Sequence, residues 1–325
     1  MTALAPAPIA TEAILNTAAM SRRLRDLLAP GGTLTVTAAA TLVWKPDSRA
    51  LVEYRLEGDT PARVYGKHFA KPVRAGRLFE TWRALERVDF GPDSGVPPLV
   101  GYLPDLALVV YVPIEGRMLA DVSSADAAER AARGAGGWLA RLHASDMRPQ
   151  RRLDMRAEIE NAGRWAARVC ELQPAHARAA RALAGELTRC VARLSFAADV
   201  PIHKDFHDRH VVASPRLGVI DFDEVRMGDP SFDPAHFCTY LWLRGVRSAF
   251  RHRQVVERAF LDQYYARSGR RPGATSPFFA AYTCMKIAKQ LAQGTGVEPR
   301  PTGIERDRQL RLVLAHGARQ IEALR

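Results

Sequence analysis

His203-Lys204-Asp205-Phe206-His207-Asp208-Arg209-His210 is the densest run of polar and titratable side chains in the sequence. Val211-Val212, a turn at Ser214-Pro215, and Gly218-Val219-Ile220-Asp221-Phe222-Asp223 follow it. Gly228-Asp229-Pro230-Ser231-Phe232-Asp233 closes the stretch. The apolar pairs Val211-Val212 and Val219-Ile220 on either side of a turn read as two short strands of a hairpin. Such a hairpin puts Asp205 just before its first strand and Asp221 just after its second, so that two carboxylates face one cleft. One can accept a proton from an attacking hydroxyl and the other can hold a divalent cation.

Upstream of this stretch, the chain changes character near residue 112. Residues 33–38, 41–45, 51–56, 62–69, 97–102 and 106–112 alternate or run apolar with β-branched residues, as strands do, and turns at 45–49 and 57–61 separate three of them. Leu78, Trp82 and Leu85 give residues 74–88 a helical spacing. From about 123 onward the spacing is helical over 124–145, 154–196, 236–268, 276–293 and 303–324. The expected fold is therefore α+β and bilobal, with a small antiparallel β-rich N-lobe over 21–112 and a larger, mainly helical C-lobe over 113–325. Residues 1–20, rich in Ala and Pro, are expected to form a flexible arm with at most one short helix.

Composition narrows the function classes. The chain has 325 residues, with 47 Lys+Arg against 35 Asp+Glu, a net charge of +12. Only six of the basic residues are lysines, and much of the arginine lies in Ala- and Glu-rich helical stretches, as on solvated helix faces. There is no run of five basic residues and no basic stripe interleaved with aromatics, so a nucleic-acid partner is not expected. No apolar run reaches 18 residues, which argues against a membrane span. Four scattered cysteines without a C-x-x-C pair argue against a zinc site or a disulfide framework, and a cytoplasmic location is expected.

The three linked motifs between 203 and 233 resemble those of the aminoglycoside phosphotransferase and choline kinase-like branch of the protein-kinase superfamily. That family's catalytic loop reads H-x-D-x-x-x-x-N, and here His203-x-Asp205 has the right spacing with His210 in the Asn position. Its metal-binding motif is an apolar pair followed by D-F or D-W, here Val219-Ile220-Asp221-Phe222, and its G-D-P-x-x-D is matched in full by Gly228 to Asp233. Leu139-Ala140-Arg141-Leu142-His143 resembles the L-x-x-L-H that ends the family's first large-lobe helix.

The resemblance implies a bilobal kinase-like fold and transfer of the γ-phosphate of ATP or GTP to the hydroxyl of a small molecule, with Mg²⁺ or Mn²⁺ as the cation. It implies Asp205 as base or orienting group, Asp221 with Asp223 as metal ligands, and Lys67 on the third strand as the phosphate-binding lysine. A Glu on the next helix should pair with Lys67; Glu80 is the first choice and Glu86 the second. Backbone groups at Tyr111 and Val112, where the lobes join, should meet the adenine edge. His203, Asp229 and Asp233 should brace the catalytic loop, while Lys204, Asp208 and Arg209 are placed either near substrate or in solvent.

Two departures from the family pattern leave alternatives open. The first hairpin turn is Lys45-Pro46-Asp47-Ser48-Arg49 and lacks G-x-G-x-x-G; Lys45 and Arg49 either meet phosphate with side-chain charge or form an exposed basic turn. His210 replaces a neutral oxygen ligand with an imidazole, which Mg²⁺ takes poorly. Either His210 binds a softer cation such as Mn²⁺ or contacts phosphate, or the chain is a catalytically weak, pseudokinase-like nucleotide-binding module. An Arg-rich C-lobe with Lys286, Lys289 and Arg300 on its late helices points to a neutral or anionic acceptor rather than a polycationic one. A protein kinase is not expected: there is no A-P-E element, and the segment after Asp221 is short for an activation loop.

Overall fold

Strand alternation and helix spacing resolve into eleven strands and ten helices in a computed structural model that describes residues 9–58, 61–247, 252–296 and 300–325. The chain divides into two compact units: Met1–Asp89, Gly95–Gly116 and Gly218–Asp223 form the first, and Phe90–Ser94, Arg117–Leu217 and Glu224–Arg325 the second. The small sheet lobe and the larger helical lobe make the fold α+β. The expected lobe boundary at 112 falls four residues before Gly116. Local periodicity gave no sign that Gly218–Asp223 returns to the first unit.

The first unit opens with α1 (Ile9–Leu15) and α2 (Thr17–Leu28), followed by β1 (Leu34–Lys45), β2 (Arg49–Gly58), β3 (Arg63–Phe69) and α3 (Pro72–Glu86). The two-residue β4 (Ser94–Gly95) precedes β5 (Leu99–Leu103) and β6 (Leu108–Tyr111). Five of these strands form one antiparallel sheet in the order β1-β2-β3-β6-β5. Residues 33–38 and 41–45 are a single strand, because register shifts at Val36/Ala38 and Thr41/Val43 absorb the break in alternation.

Alternation along β3 puts Val64, Gly66 and His68 on one face and Tyr65, Lys67 and Phe69 on the other. Val64 packs with Val52, Tyr54, Leu108 and Val110 into a core that also takes Ile14, Met20 and Leu24 from α1 and α2. Residues 9–20 of the expected flexible arm are therefore docked helix, and the rest of that arm lies outside the described residues. Tyr54 donates to Ile14 O (2.8 Å), and Ser21 Oγ accepts from Val36 N (2.8 Å), so polar contacts fix these helices as well. A Cβ at Gly66 would stand 2.8 Å from the Tyr54 ring; only glycine lets that ring lie against β3, one residue from Lys67.

The second unit contains β7 (Arg117–Met118), α4 (Ala125–Ala144), α5 (Met155–Leu172), α6 (Ala177–Val191), β8 (Val200–Ile202) and β9 (Val211–Ala213). β10 (Leu217–Val219) and β11 (Arg226–Gly228) then lead to α7 (Phe232–Val246), α8 (Arg253–Ser268), α9 (Ser276–Gln293) and α10 (Gly303–Glu322). The expected helix over 154–196 is two helices, because Pro174 follows the end of α5 and cannot continue its hydrogen-bond ladder. β8 pairs antiparallel with β11, and β7 with β9. The core, drawn largely from α5, α6, α7, α9 and α10, includes Leu183, Leu187, Phe279, Tyr282, Ile287, Leu310 and Val313.

Helix α4 packs on α8 through Gly136, where a Cβ would lie 2.4 Å from Phe260 O and 3.0 Å from Tyr264 N. Gly163 on α5 has nothing within 4 Å of such a Cβ. Gly136→Ala should therefore destabilise the protein by about 1–3 kcal/mol through overpacking against backbone. Gly163→Ala should stabilise it by about 0.5–1 kcal/mol through helix propensity and chain entropy. Urea unfolding of both variants beside the wild type checks the opposite signs.

Candidate active site

In the first unit, Lys67 on β3 lies opposite Leu51 on β2 and Val109 on β6, in the interior of the sheet. Its ammonium bonds Asp221 Oδ1 (2.8 Å) and Asp223 Oδ1 (2.6 Å), residues more than 150 positions away. Burial opposes the Lys67 charge, but the two carboxylates outweigh it and hold its pKa above the usual lysine value. Arg49 donates to Asp223 Oδ2 and stands 3.9 Å from Asp221 Oδ2. Two cations thus neutralise two carboxylates, and Asp223 is almost fully buried among them.

Asp221 adopts a left-handed backbone (φ 67), which asparagine and aspartate tolerate better than branched residues do. Its neighbour Phe222 is buried and meets Trp82 edge-on at 5.1 Å. The hairpin turn before Arg49 has Pro46 at its second position, Asp47 (φ 55) at its third and a Ser48 N–H to Lys45 O bond of 3.1 Å. That is the pattern of a type II turn. It places Arg49 in the cluster without glycine.

Two expectations for this unit do not match the geometry. Glu80 is 59% exposed beside Arg83, because α3 turns Ala75, Leu78, Trp82 and Leu85 inward and position 80 lies on the opposite side. Asp221 and Asp223, not Glu80, partner Lys67, and Glu86 accepts from Leu99 N instead (2.7 Å). At the expected hinge, the Val112 N–H donates to Pro98 O (2.9 Å), and the Tyr111 ring packs on Trp82 at 4.6 Å and Tyr65 at 5.8 Å.

In the second unit, Asp233 on α7 is completely buried and accepts from His203 N (2.7 Å) and Lys204 N (2.8 Å). His143 Nε2, at the end of α4, lies 3.1 Å from Asp233 Oδ2, and Tyr264 OH lies 2.9 Å from His143 Nδ1. The carboxylate can only accept, so His143 Nε2–H donates to it, while the Tyr264 hydroxyl lies between His143 Nδ1 and Pro230 O (3.4 Å). Burial disfavours the Asp233 charge, but these donors outweigh it and lower the carboxyl pKa. Just after the second bonded amide, Lys204 takes φ 70, and this sharp turn carries the chain into Asp205.

Asp205 Oδ1 receives Lys286 Nζ (2.5 Å) and His236 Nε2 (3.3 Å). Burial works against its charge, yet Lys286, His236 and the histidines of the loop together hold the carboxyl well below the usual range. Thr283 Oγ1 lies 3.0 Å from His236 Nδ1, so a neutral His236 donates to Asp205 while accepting from Thr283. Burial first, and then Lys286, push His236 down to about 4. His210 Nδ1 donates to Asp205 O (2.7 Å), and the His207 and His210 rings stack at 3.9 Å. Among the described residues, Asp205, His207 and His210 form a group whose donor atoms all lie within 4.8 Å of one another.

The other polar residues of the loop have structural partners. Asp208 is almost fully buried against Arg244, and burial raises its carboxyl pKa. Lys204 bonds Glu158 (3.2 Å) under the rings of Phe232 and Tyr282, and burial lowers it to about 8. Neither Lys204 nor Asp208 is left in solvent. Asp229 accepts from Ser231 N, Ala197 N and Thr275 Oγ1 at 2.8, 3.1 and 3.1 Å. Sequence reasoning missed His236, whose signal was its place one helical turn after Asp233. It also missed Glu158, which carried none.

Asp233→Ala would leave two buried amides and His143 without their acceptor; an unfolding penalty of about 3–5 kcal/mol is expected. For His236 the unfolded chain binds a proton near pH 6.5 and the folded chain only near 4, so stability is present above 6.5 and lost as pH falls through this window. The loss is on the order of 3 kcal/mol. The pH dependence of the urea midpoint between pH 7 and 4.5 should be flatter in His236→Gln.

Residues 96–269 match the sequence profile of the phosphotransferase enzyme family. No curated protein sequence matches the chain at a significant level. Among solved structures, the choline kinase LicA from Streptococcus pneumoniae aligns over 92% of this chain and 98% of its own, with a TM-score of 0.61 and 16% identity. A choline/ethanolamine kinase family protein from Mesorhizobium loti aligns over 94% and 98%, with a TM-score of 0.59 and 14% identity. An ADP-bound aminoglycoside phosphotransferase, APH(2'')-Ib, aligns over 92% and 97%, with a TM-score of 0.56 and 14% identity. At these identities the likeness is one of fold.

Proposed function

The chain belongs to the phosphotransferase enzyme family and is a small-molecule kinase, and from that premise we propose that it moves the γ-phosphate of ATP or GTP to a hydroxyl of a neutral or anionic small molecule. The observation that carries this reading is the Lys67 ammonium held between Asp221 and Asp223 at 2.8 and 2.6 Å. Sequence positions this far apart converge on one charge-balanced cluster, whose parts suit a metal–triphosphate: cations for phosphate oxygens and hard carboxylate oxygens for a divalent cation.

Asp221 and Asp223 would hold Mg²⁺ or Mn²⁺, and Lys67 with Arg49 would exchange carboxylate partners for phosphate oxygens. The cation supplies charge neutralisation of the phosphate during transfer. Lys45, at the foot of the same hairpin, adds positive charge to the loop. Backbone at Tyr111 and Val112 offers the base a carbonyl edge, the Val112 N–H being engaged. His210 would offer an imidazole nitrogen, which favours Mn²⁺ over Mg²⁺.

Asp205 orients the acceptor hydroxyl. Its Oδ1 is taken by Lys286 and His236, so Oδ2 is the atom for the hydroxyl hydrogen. A carboxyl held well below its usual range is a weak base, which suits a loose transition state in which little negative charge builds on the attacking oxygen. His236 and Thr283 fix the carboxylate plane. Glu80, exposed on α3, has no part in this arrangement.

The test is a thermal-shift titration of ATP and GTP with Mg²⁺ or Mn²⁺. A rise in Tm that requires metal, and that disappears in Asp221→Ala and Lys67→Met, is the expected result. ADP release with an acceptor should fall about 100-fold or more in Asp205→Ala, with nucleotide binding intact. Nucleotide binding without transfer to any acceptor would instead favour the binding-module reading. No shift with any nucleotide would end both.

A further inference from the structure

Helix α9 carries Tyr282, Lys286 and Gln290 at four-residue intervals, on one face. Tyr282 contacts Glu158, Lys286 bonds Asp205 at 2.5 Å, and Gln290 accepts from Tyr240 OH at 3.0 Å. Glu158 is already shared by Lys204 at 3.2 Å and Arg226 at 3.4 Å. Three cations, Lys204, Arg226 and Lys286, thus meet two buried or half-buried carboxylates, Glu158 and Asp205; Glu224, which Arg226 also contacts, lies towards solvent. Lys286 is the most exposed of the three cations, with 21% of its side chain accessible against 11% for Lys204 and 7% for Arg226.

We propose that Lys286 determines acceptor specificity by binding an anionic group, a carboxylate or phosphate, borne by the acceptor beside its reacting hydroxyl. The inference rests on the reading of Asp205 as the group that orients that hydroxyl. An ammonium has three N–H donors, and Asp205 takes one. An acceptor that places its hydroxyl on Asp205 Oδ2 and its anion on Lys286 is held at two neighbouring points, each contact spanning about 2.8 Å. An acceptor ammonium in the same place meets the like charges of Lys286 and Lys204, and this repulsion excludes polycationic amino-alcohols and aminoglycoside-like acceptors. The late-helix lysine thus does the opposite of an acidic acceptor pocket.

The experiment compares four small alcohols that differ in charge: glycerate, glycerol 3-phosphate, glycerol and ethanolamine. Binding to the full chain is measured by calorimetry and by ligand-observed NMR, with and without ADP and Mg²⁺, for wild type, Lys286→Gln and Lys286→Glu. The wild type should bind one or both anionic alcohols at least tenfold more tightly than glycerol, with ethanolamine weakest. Lys286→Gln should bring anionic and neutral alcohols within about twofold, and Lys286→Glu should move the preference towards ethanolamine. Comparing glycerate with glycerol 3-phosphate tells whether carboxylate or phosphate fits. A wild type that binds no anionic alcohol, or that binds it no better than glycerol, overturns the inference. So does an anion preference that survives in Lys286→Gln. Failure of ATP and metal to bind on the same samples overturns the transfer reading instead, while the alcohol titration without nucleotide still decides the role of Lys286.

Discussion

The buried carboxylate of Asp233 is the contact around which the second unit's site is arranged. It takes the backbone N–H of His203 and of Lys204, so it fixes two consecutive peptide planes, and the left-handed Lys204 that follows them starts from a satisfied amide. The chain leaves this turn at Asp205. His143 and Tyr264 hold Asp233 from α4 and α8, and Gly136 permits those two helices to touch closely enough for that chain of hydrogen bonds to form. Helix packing and placement of the Asp205 carboxylate are therefore one problem with one solution. A residue at a helix start orders a loop thirty positions earlier.

Charge balance governs both clusters. In the first unit, Lys67 and Arg49 against Asp221 and Asp223 give a neutral group that tolerates burial, which none of the four would separately. In the second, Glu158, Asp205 and Glu224 face Lys204, Arg226 and Lys286, and the same rule holds. Such pairs are exchangeable: a cation that neutralises a carboxylate in the unliganded protein is the one that can turn to a phosphate or a ligand carboxylate when it arrives. Some of the arginines, by contrast, sit in exposed i,i+3 and i,i+4 pairs on helices, such as Arg133–Glu129 and Arg168–Glu171, worth little each and silent about ligands.

Much of this was legible beforehand, and the failures have physical causes. The alternation in β2 and β3 and the 3.6-residue spacing in α4, α9 and α10 survive folding because one face of each is buried. Pro174 divided a helix whose spacing looked continuous, since composition on both sides is equally helical. Glu80 was chosen by residue type and order, but helical phase decides exposure, and the phase of α3 is set by Leu78 and Trp82. Asp208 looked like a surface residue until Arg244, thirty-six positions on, neutralised it. Lys67, Asp221 and Asp205 could be singled out beforehand because their motifs are short and contiguous.

Sequence alone determined the lobes and the motif order, because these depend on local periodicity and on fixed short spacings. The tertiary structure decided who neutralises whom: that Lys67 pairs with Asp221 and Asp223, that Asp233 holds the loop, and that Lys286 and His236 share one oxygen of Asp205. Those pairings join residues from 29 to 156 positions apart. Burial makes them obligatory, since a charge removed from water must find a partner, but which partner is a matter of packing that no local pattern encodes.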